Sequence, residues 1–309
     1  MARGTGQANK TAAIKNKLKR QREYHKLKKK GAKADREARK FKQKQAETLG
    51  TQPQNYPQQR TLDNTRQHDD TLVKPDDQEV AAEDSFDEFA THFSGTLQPR
   101  TLVTTAPRPS EPLLAFLQEM VAMLPNAEYR SRGEIPLKQI VSAASERGFT
   151  NLLVFTEKSK QPQSLWFVKL PAGPTARFKF TSLVLPKQIA GHGRPTGHLP
   201  ELILNNFSTR LGHRLGRMLA CLFPHDPHFR GRQVVTMHNQ RDFVFFRHHR
   251  YIFDQKEQGG QVTARLQELG PRFTLKLKSL QLGTFDTQHG EYEWKHKPEL
   301  DTSRRRFHV

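Results

Sequence analysis

Apolar residues change their spacing at about Leu97, and the change divides the chain into a polar part and a part able to form a core. Before this point apolar residues are few and scattered. After it they recur three and four positions apart in some segments and at every second position in others, which are the periods of helices and strands. The pattern therefore predicts an α/β domain that follows a long polar region.

Two helices and four strands are predicted in the first half of this domain. Ser110 suits a helix N-cap, and Pro125 ends the helix that follows it. Pro136 suits the first turn of a second helix, which Gly148 ends. The predicted strands are Leu102–Thr105, Asn151–Phe155, Ser164–Leu170 and Arg177–Thr181.

The second half is predicted to repeat this order in a shorter form. A strand at Glu201–Leu204 precedes a helix that Ser208 caps and that runs to Leu222. Further strands are predicted at Gln233–Met237, Phe243–Phe246 and Arg272–Leu280. The segments that begin at Gly173 and Gly270 both open with Gly-Pro and then alternate basic or hydroxyl residues with Phe or Leu. We interpret them as copies from an internal duplication; chance similarity of two amphipathic strands is the alternative.

The composition predicts four segments. They are a basic tail at residues 1–50, a polar and then acidic linker at 51–96, the folded domain at 97–290 and a basic C-terminal tail at 291–309. The halves of the domain span about 97–190 and 191–290. Within the linker, Phe86, Phe89 and Phe93 have the spacing of one helical turn that docks on a partner or on the domain.

The charge balance favours a polyanionic partner. Lys and Arg number 51 against 31 Asp and Glu, which gives a formal net charge of +20. Residues 1–50 hold 17 Lys and Arg against four acidic residues, and their scarce apolar residues predict disorder or a transient helix. Lys28, Lys29 and Lys30 suit nuclear import, phosphate contact or both. A solubilising tail and a solvated basic surface are the plainer alternatives.

Basic residues of the predicted domain fall on regular faces. In the strand from Arg272 to Lys278, period-two geometry puts the Phe and Leu side chains in the core and the basic ones on the open face. In the helix after Ser208, Arg210, Arg214 and Arg217 cluster beside the apolar stripe. The predicted RNA-binding residues are Arg210, Arg214, Arg217, Arg232, Arg241, Arg247, Arg250, Arg272, Lys276, Lys278, Arg304, Arg305, Arg306, Lys28, Lys29 and Lys30.

Aromatic residues interleave with several of these arginines. In RNA-binding proteins, aromatic rings stack on unpaired bases, and Phe243, Phe245 and Phe246 have suitable side chains for this contact. A buried strand, however, has the same composition. We therefore assign RNA contact to the arginines and expect most of the rings in the core. The basic C-terminal residues are predicted either to contact RNA or to dock on the domain.

The residue patterns of common catalytic and metal sites do not occur in the sequence. Cys221 is the single cysteine, which excludes an intramolecular disulfide and favours a reducing compartment. Neither His225 and His228 nor His248 and His249 have carboxylates or cysteines at ligand spacing. We find no Gly-rich phosphate loop, nucleophile elbow or membrane-spanning run. The sequence predicts a protein without catalysis, cofactor, metal ion, membrane contact or small-molecule substrate.

Long motifs of the second half resemble those of the Brix-domain family of ribosome assembly factors. They are Leu199–His213, Gly216–Met218, Leu222–His225, Gly231–Val234, His238–Asp242, Phe245–Arg247, Glu268–Lys276, Gly290–Trp294 and Asp301–His308. The resemblance covers about residues 98–309. It implies a mixed α/β fold of two similar halves related to the anticodon-binding domain.

The resemblance also implies a function. It implies work in the nucleus and nucleolus on precursor ribosomal RNA of the large subunit, together with a dedicated protein partner. An RNA-binding segment late in the family's domain matches Arg247, Arg250, Arg272, Lys276 and Lys278. We therefore expect a non-enzymatic ribosome biogenesis factor that binds precursor ribosomal RNA.

Two alternatives of other classes stay open at this point. One is an RNA-processing nuclease, although isolated acids among arginines, such as Asp226 and Asp242, are typical of ion-pair partners. The other is a DNA- or chromatin-binding nuclear protein, which the net charge alone permits.

Overall fold

The computed structural model describes residues 14–48, 61–74, 76–226, 231–254, 263–286, 290–303 and 305–309. They belong to two compact units, Met1–Asn64 and Thr65–Val309. In the first unit, helix α1 (Lys17–Thr48) begins after Asn16, whose side chain accepts hydrogen bonds from the backbone N–H groups of Leu18 and Lys19. Leu18 and Phe41 of this helix are exposed, so the described part of the basic extension has apolar side chains in solvent.

Helices and strands alternate along the rest of the chain. The helices are α2 (Leu62–Thr65), α3 (Gln78–Phe86), α4 (Ala90–Phe93), α5 (Glu111–Met123), α6 (Leu137–Glu146) and α7 (Arg210–Ala220), with 3-10 turns at Pro186–Gln188 and Pro298–Thr302. The strands are β1 (Thr101–Thr105), β2 (Ala127–Tyr129), β3 (Asn151–Lys158), β4 (Gln161–Lys169), β5 (Thr175–Val184), β6 (Glu201–Asn205), β7 (Gln233–Gln240), β8 (Phe243–Asp254), β9 (Thr263–Glu268), β10 (Arg272–Gln281) and β11 (Tyr292–Lys295). Among the described residues, no helix combines the length and the apolar character needed to cross a membrane.

The strands form one mixed sheet whose main path is β2-β1-β3-β4-β5-β10-β8-β7-β6. β1 is parallel to β3, and β3, β4 and β5 follow in antiparallel order. In the same way β6 is parallel to β7, and β7, β8 and β10 follow in antiparallel order. The last strands of the two halves, β5 and β10, pair at the centre. The two similar halves that the sequence predicts are therefore confirmed.

Helices cover both faces of this sheet. Phe116 of α5 contacts Phe155, Phe180 and Phe273 from three strands, with ring centroids 5.5, 5.4 and 5.7 Å away. The apolar stripe of α7 joins the same core. Alternate residues of β3 face a second, smaller cluster, into which α6 buries Val141. Because each strand has a period of two, the two clusters lie on opposite faces of the sheet.

A few elements differ from the sequence prediction. The sequence does not predict β2, β9 and β11, because none of them has a buried apolar face at period two. Helix α7 has Thr209 rather than Ser208 as its N-cap, and the Thr209 hydroxyl accepts a helix N–H. The Ser208 hydroxyl accepts a hydrogen bond from Arg66 instead. Ser110 is the N-cap of α5 as predicted, but its hydroxyl donates to the Glu157 carboxylate.

Candidate nucleic-acid interface

Strand β10 alternates between the core and the open face of the sheet, as the sequence predicts. Phe273, Leu275 and Leu277 are buried, at 2%, 2% and 1% exposure. Lys276 lies between Leu275 and Leu277, and Lys278 follows Leu277; both lysines are partly exposed. The two lysines therefore lie on the face that the core does not use.

Strand β5 adds two more cations to this face. Lys179 lies directly opposite Lys276, and Arg177 lies opposite Ser279. A β-bulge just before Ser279 leaves Lys278 as the extra residue of β10. We call Arg177, Lys179, Lys276 and Lys278 the basic sheet face. It combines residues from both halves of the fold.

The cations of the basic sheet face are close enough to influence one another. Burial lowers the pKa of Lys278, and the charges of Lys276, Lys179 and Arg177 lower it further, while Asp301 opposes them. Lys276 Nζ lies 3.2 Å from the Asp301 carboxylate. Within the ranges that the structure describes, neither Arg177 nor Lys179 has a carboxylate oxygen within 4.0 Å. The face therefore keeps positive charge available to phosphate oxygens.

Aromatic rings border these cations. The Arg177 guanidinium lies 5.0 Å from the centroid of the Trp166 ring, and Lys276 Nζ lies 5.2 Å from that of Phe243. Phe243 is 39% exposed, so the expectation that its ring is in the core is wrong; for Phe246, at 2% exposure, it is confirmed. Rings beside cations form the arrangement on which unpaired bases stack.

The predicted arginines of β7, β8 and β10 lie in three places. Arg247 and Arg272 extend the basic sheet face along β8 and β10, and Arg272 forms an ion pair at 3.3 Å with the glutamate four residues before it. Arg232 and Arg250 lie together at the start of β7, since Arg250 pairs with the first residue of that strand. Arg241 is in the turn at the far end of β7. The structure does not join these residues into one patch.

The basic face of α7 contacts carboxylates. We call Asp76–Phe93, which has seven acidic residues and no Lys or Arg, the acidic strap. Its ion pairs with α7 are Glu79 with Arg210, Asp84 with Arg217 at 3.2 Å, Asp87 with Arg217 at 2.7 Å and Glu88 with Arg214 at 3.3 Å. Asp84 is also hydrogen-bonded to His213 at 2.9 Å, and Glu293 of β11 pairs with Arg214 at 2.7 Å. Arg214 and Arg217 are therefore largely covered, at 23% and 13% exposure, whereas Arg210 is paired but 44% exposed.

Two of the three phenylalanines predicted to dock do so on the domain. Phe89 is 0% exposed, and Phe93 packs against the main core. The Arg217 guanidinium lies 4.3 Å from the centroid of the Phe93 ring. Phe86 is 91% exposed and does not dock on the domain. The strap is thus anchored by apolar burial at its C-terminal end.

The C-terminal tail docks on the domain, which was one of its two predicted roles. Strand β11 pairs with β10, and Phe307 and Val309 are buried. The Asp242 carboxylate accepts hydrogen bonds from the backbone N–H groups of His308 and Val309, at 2.7 and 2.8 Å. Asp242 therefore holds the tail, in place of the ion pair expected from the sequence.

The remaining predicted RNA-binding residues lie in the tail and on α1. Arg305, Arg306, Lys28, Lys29 and Lys30 are exposed, and Arg304 lies outside the described residues. Exposure leaves the five described cations accessible to phosphate.

Buried His248 has a structural role in the sheet. In the part of the chain that the structure describes, no group of three or more His, Cys, Asp or Glu side chains is placed to hold a metal ion. The Nδ1 of buried His248 lies 3.0 Å from Gly270 O and its Nε2 lies 3.1 Å from Gln233 Oε1. Burial lowers its pKa, and the neutral ring donates to one of these two oxygens at a time. The role of this histidine is to join core strands.

Sequence patterns did not assign four residues of the candidate interface: Arg177, Lys179, Trp166 and Phe243. A signal for the two cations was present, because the segment that begins at Gly173 resembles the one in β10. Equivalent positions in the two copies share a face of the sheet, so cations in one copy predict cations in the other. Phe243 was recognised as a ring among arginines but was not assigned to RNA contact, and Trp166 had no such signal.

The domain with this paired sheet matches a known family. The Brix domain matches residues 107–279, and the chain belongs to the Brix-domain family. Among its relatives, ribosome production factor 1 of Pongo abelii is 48% identical over 298 residues, which cover 96% of this chain and 84% of the relative. Ribosome production factor 1 of Saccharomyces cerevisiae is 39% identical over 310 residues, with 96% and 97% covered.

A solved structure also aligns with the chain. The probable ribosomal biogenesis protein from Aeropyrum pernix K1 does so with a TM-score of 0.42 and 16% identity, over 58% of this chain and 96% of that one.

Proposed function

We propose that this chain is a non-catalytic ribosome biogenesis factor that binds precursor ribosomal RNA of the large subunit. The observation that carries the proposal is the basic sheet face, where β5 and β10 place four cations side by side at the centre of the sheet. Regularly spaced cations on a rigid surface suit the phosphates of a folded RNA. The family match and the relatives' names support a role in ribosome production.

Contacts of two kinds are proposed for this interface. Arg177, Lys179, Lys276 and Lys278 bind phosphates, with Arg247 and Arg272 extending the path along the sheet. Trp166 and Phe243 offer rings to unpaired bases at the border. Most contacts go to the RNA backbone, so recognition depends on RNA shape more than on base sequence.

The segments outside the domain add RNA contacts and a signal for localisation. The exposed lysines of α1 and the arginines of the C-terminal tail add phosphate contacts and suit nuclear import, which fits a nucleolar protein. A dedicated protein partner is proposed on the family resemblance. Arg210, Arg214 and Arg217 of α7 are not part of this interface, because they pair with carboxylates of the acidic strap.

The first test measures RNA binding by the full chain. A variant R177Q/K179Q/K278Q removes three cations of the basic sheet face, and K138Q/K158Q/K160Q removes three exposed lysines from elsewhere on the domain. We expect the first variant to bind a labelled RNA stem–loop more weakly than the second, because it has lost cations that contact phosphates. Each lost phosphate contact should also reduce the slope of log K against log salt concentration by about 1. Equal weakening in both variants would mean that net charge alone holds the RNA.

Two further experiments separate the proposed function from DNA binding and from RNA cleavage. Duplex DNA at matched salt should displace the stem–loop poorly; displacement as good as that by RNA would favour a DNA-binding role. Incubation with precursor RNA should leave it intact. Cleavage that disappears when a single acidic residue is replaced would favour a nuclease.

The RNA target in the cell is identified by ultraviolet crosslinking in living cells, followed by sequencing of the bound RNA. We expect reads to concentrate on large-subunit precursor RNA. Reads scattered over unrelated transcripts would leave RNA binding without ribosomal specificity.

A further inference from the structure

The acidic strap lies where a phosphate chain would lie on α7. Helix α7 has Arg210, Arg214 and Arg217 and no acidic residue, while the strap has seven acids and no Lys or Arg. Carboxylate and phosphate oxygens accept the same charge-assisted hydrogen bonds from guanidinium groups. The strap therefore occupies the contacts that would be made with RNA.

The strap is fastened at two places. Just before it, the Arg210 backbone N–H donates to Thr71 O and the Val73 N–H donates to Ser208 O, both at 2.9 Å. At its C-terminal end Phe89 is buried and Asp87 forms its ion pair with Arg217, where the side chains are only 10% and 13% exposed. These two attachments are desolvated or made by backbone groups, so they resist salt.

Helix α3 between the two attachments is held weakly. It has nine residues, a length at which an isolated helix is marginal, and Val80 is its single buried side chain. Its ion pair between Glu79 and Arg210 is exposed, at 65% and 44%, and exposed pairs contribute little to stability and are screened by salt. Asp84, in the last turn of α3, has less exposed contacts with His213 and Arg217. Displacement of the strap by a competing polyanion therefore begins at the first turn of α3.

We propose that α3 is an exchangeable cover on a second RNA-binding surface, formed by Arg210, His213, Arg214 and Arg217 of α7. This inference rests on the proposed RNA-binding function. RNA first binds the open basic sheet face. Helix α7 packs on the opposite face of the sheet, so an RNA that extends around the sheet brings its phosphates to α7 at a raised local concentration. Phosphates then replace the carboxylates of Glu79 and Asp84 on α3, while Asp87, Phe89 and Phe93 keep the C-terminal end of the strap, including Glu88, attached. The cover weakens the binding of RNAs that reach only one surface.

The test compares two full-length variants that each lose three carboxylates. E79Q/D84N/E88Q neutralises the strap and keeps Asp87, and E111Q/E134Q/E146Q neutralises three exposed acids elsewhere on the domain. Both gain the same net charge, so a difference between them reports the position of the lost carboxylates. We expect the strap variant to bind the RNA stem–loop about three- to tenfold more tightly than the control variant, with a salt slope steeper by about 1 to 2. Arg210 then loses its carboxylate partner and Arg214 keeps only Glu293, so both can bind phosphates and release counterions.

Hydrogen exchange in the unmodified chain supplies a second readout that does not depend on the folding of a variant. We expect the amides of residues 78–86 to exchange faster when RNA is bound, since α3 leaves α7. Equal affinity and slope in the two variants, or unchanged or slower exchange in 78–86, would overturn the exchangeable cover. In that case loss of binding in R177Q/K179Q/K278Q would still uphold the proposed function. If that variant binds RNA as the unmodified chain does, the proposed function itself fails, and the cover fails with it.

Discussion

Lys179 on β5 lies directly opposite Lys276 on β10, so each half of the duplicated fold contributes one lysine to a like-charged pair at the centre of the sheet. Like charges in directly opposed positions destabilise a sheet. The Asp301 carboxylate, 3.2 Å from Lys276 Nζ, offsets part of the repulsion. A pair of this kind is typical of a surface selected to bind an anion rather than to stabilise the fold.

Replacing Lys179 with Gln should therefore stabilise the fold while weakening RNA binding. We expect the free energy of unfolding in urea to rise by roughly 0.2–1 kcal/mol at low salt, and the gain to vanish near 1 M salt, where charges are screened. Lys138→Gln, on the surface of α6, is the control and should change neither property. A gain that persists at high salt would show that repulsion is not its cause.

Replacing Phe89 or Phe86 gives a matched pair of variants that tests how the strap is attached to the domain. Phe89→Ala removes a ring that is 0% exposed, and a loss of about 3–5 kcal/mol in unfolding free energy is expected. Phe86→Ala removes a ring that is 91% exposed and should change stability by less than about 0.5 kcal/mol. Urea denaturation of both variants checks the difference. Similar values for the two would mean that the strap is not anchored through Phe89.

The C-terminal tail depends on one carboxylate. Asp242→Ala leaves the backbone N–H groups of His308 and Val309 without their acceptor, and a loss of roughly 1–3 kcal/mol is expected for each donor that stays buried. Arg241→Ala changes the exposed neighbour in the same turn and is the control. Thermal unfolding measures stability, and limited proteolysis shows whether the tail detaches. A variant with a firmly attached tail would contradict the assigned role.

Buried His92 should make stability fall in mild acid. Burial lowers its pKa to about 4, and the charges of Lys169, His225 and Arg217 act in the same direction. In the unfolded chain the His92 ring takes up a proton near pH 6.5. The stability that the neutral ring contributes to the fold is therefore complete above pH 6.5 and is lost as the pH falls towards 4. We expect His92→Gln to flatten the dependence of unfolding free energy on pH in this window. An NMR titration that finds the His92 pKa near 6.5 would refute the explanation.

The order of elements was predictable from sequence because most of them bury one regular face. Helices α5 and α6 and strands β3, β5 and β10 have apolar residues at the period of their element, and each was predicted at close to its observed position. The Gly-Pro segments also indicated the duplication that pairs β5 with β10. Strand β9 was missed because its residues are largely exposed, so no apolar alternation marks it.

The environment of α7 was not predictable from sequence for a different reason. Its basic face was recognised, but its partners in the acidic strap lie 126–133 positions earlier in the chain, in a segment interpreted as a linker. One further partner of Arg214, Glu293, lies 79 positions later. Charge patterns specify which residues attract one another but not which pairs meet. Phe89 and Phe93 were the accessible clue, since two rings at helical spacing in an acidic segment required a place to dock.

The position of the strap in the chain has a consequence for the newly made protein. A chain leaves the ribosome from its N-terminus, so Glu79, Asp84 and Glu88 emerge more than a hundred residues before the arginines they pair with. The nascent α7 therefore meets its own carboxylates as soon as it folds, in a place crowded with the RNA of the translating ribosome. The proposed second RNA-binding surface is therefore already paired with carboxylates of its own chain before the protein leaves the ribosome.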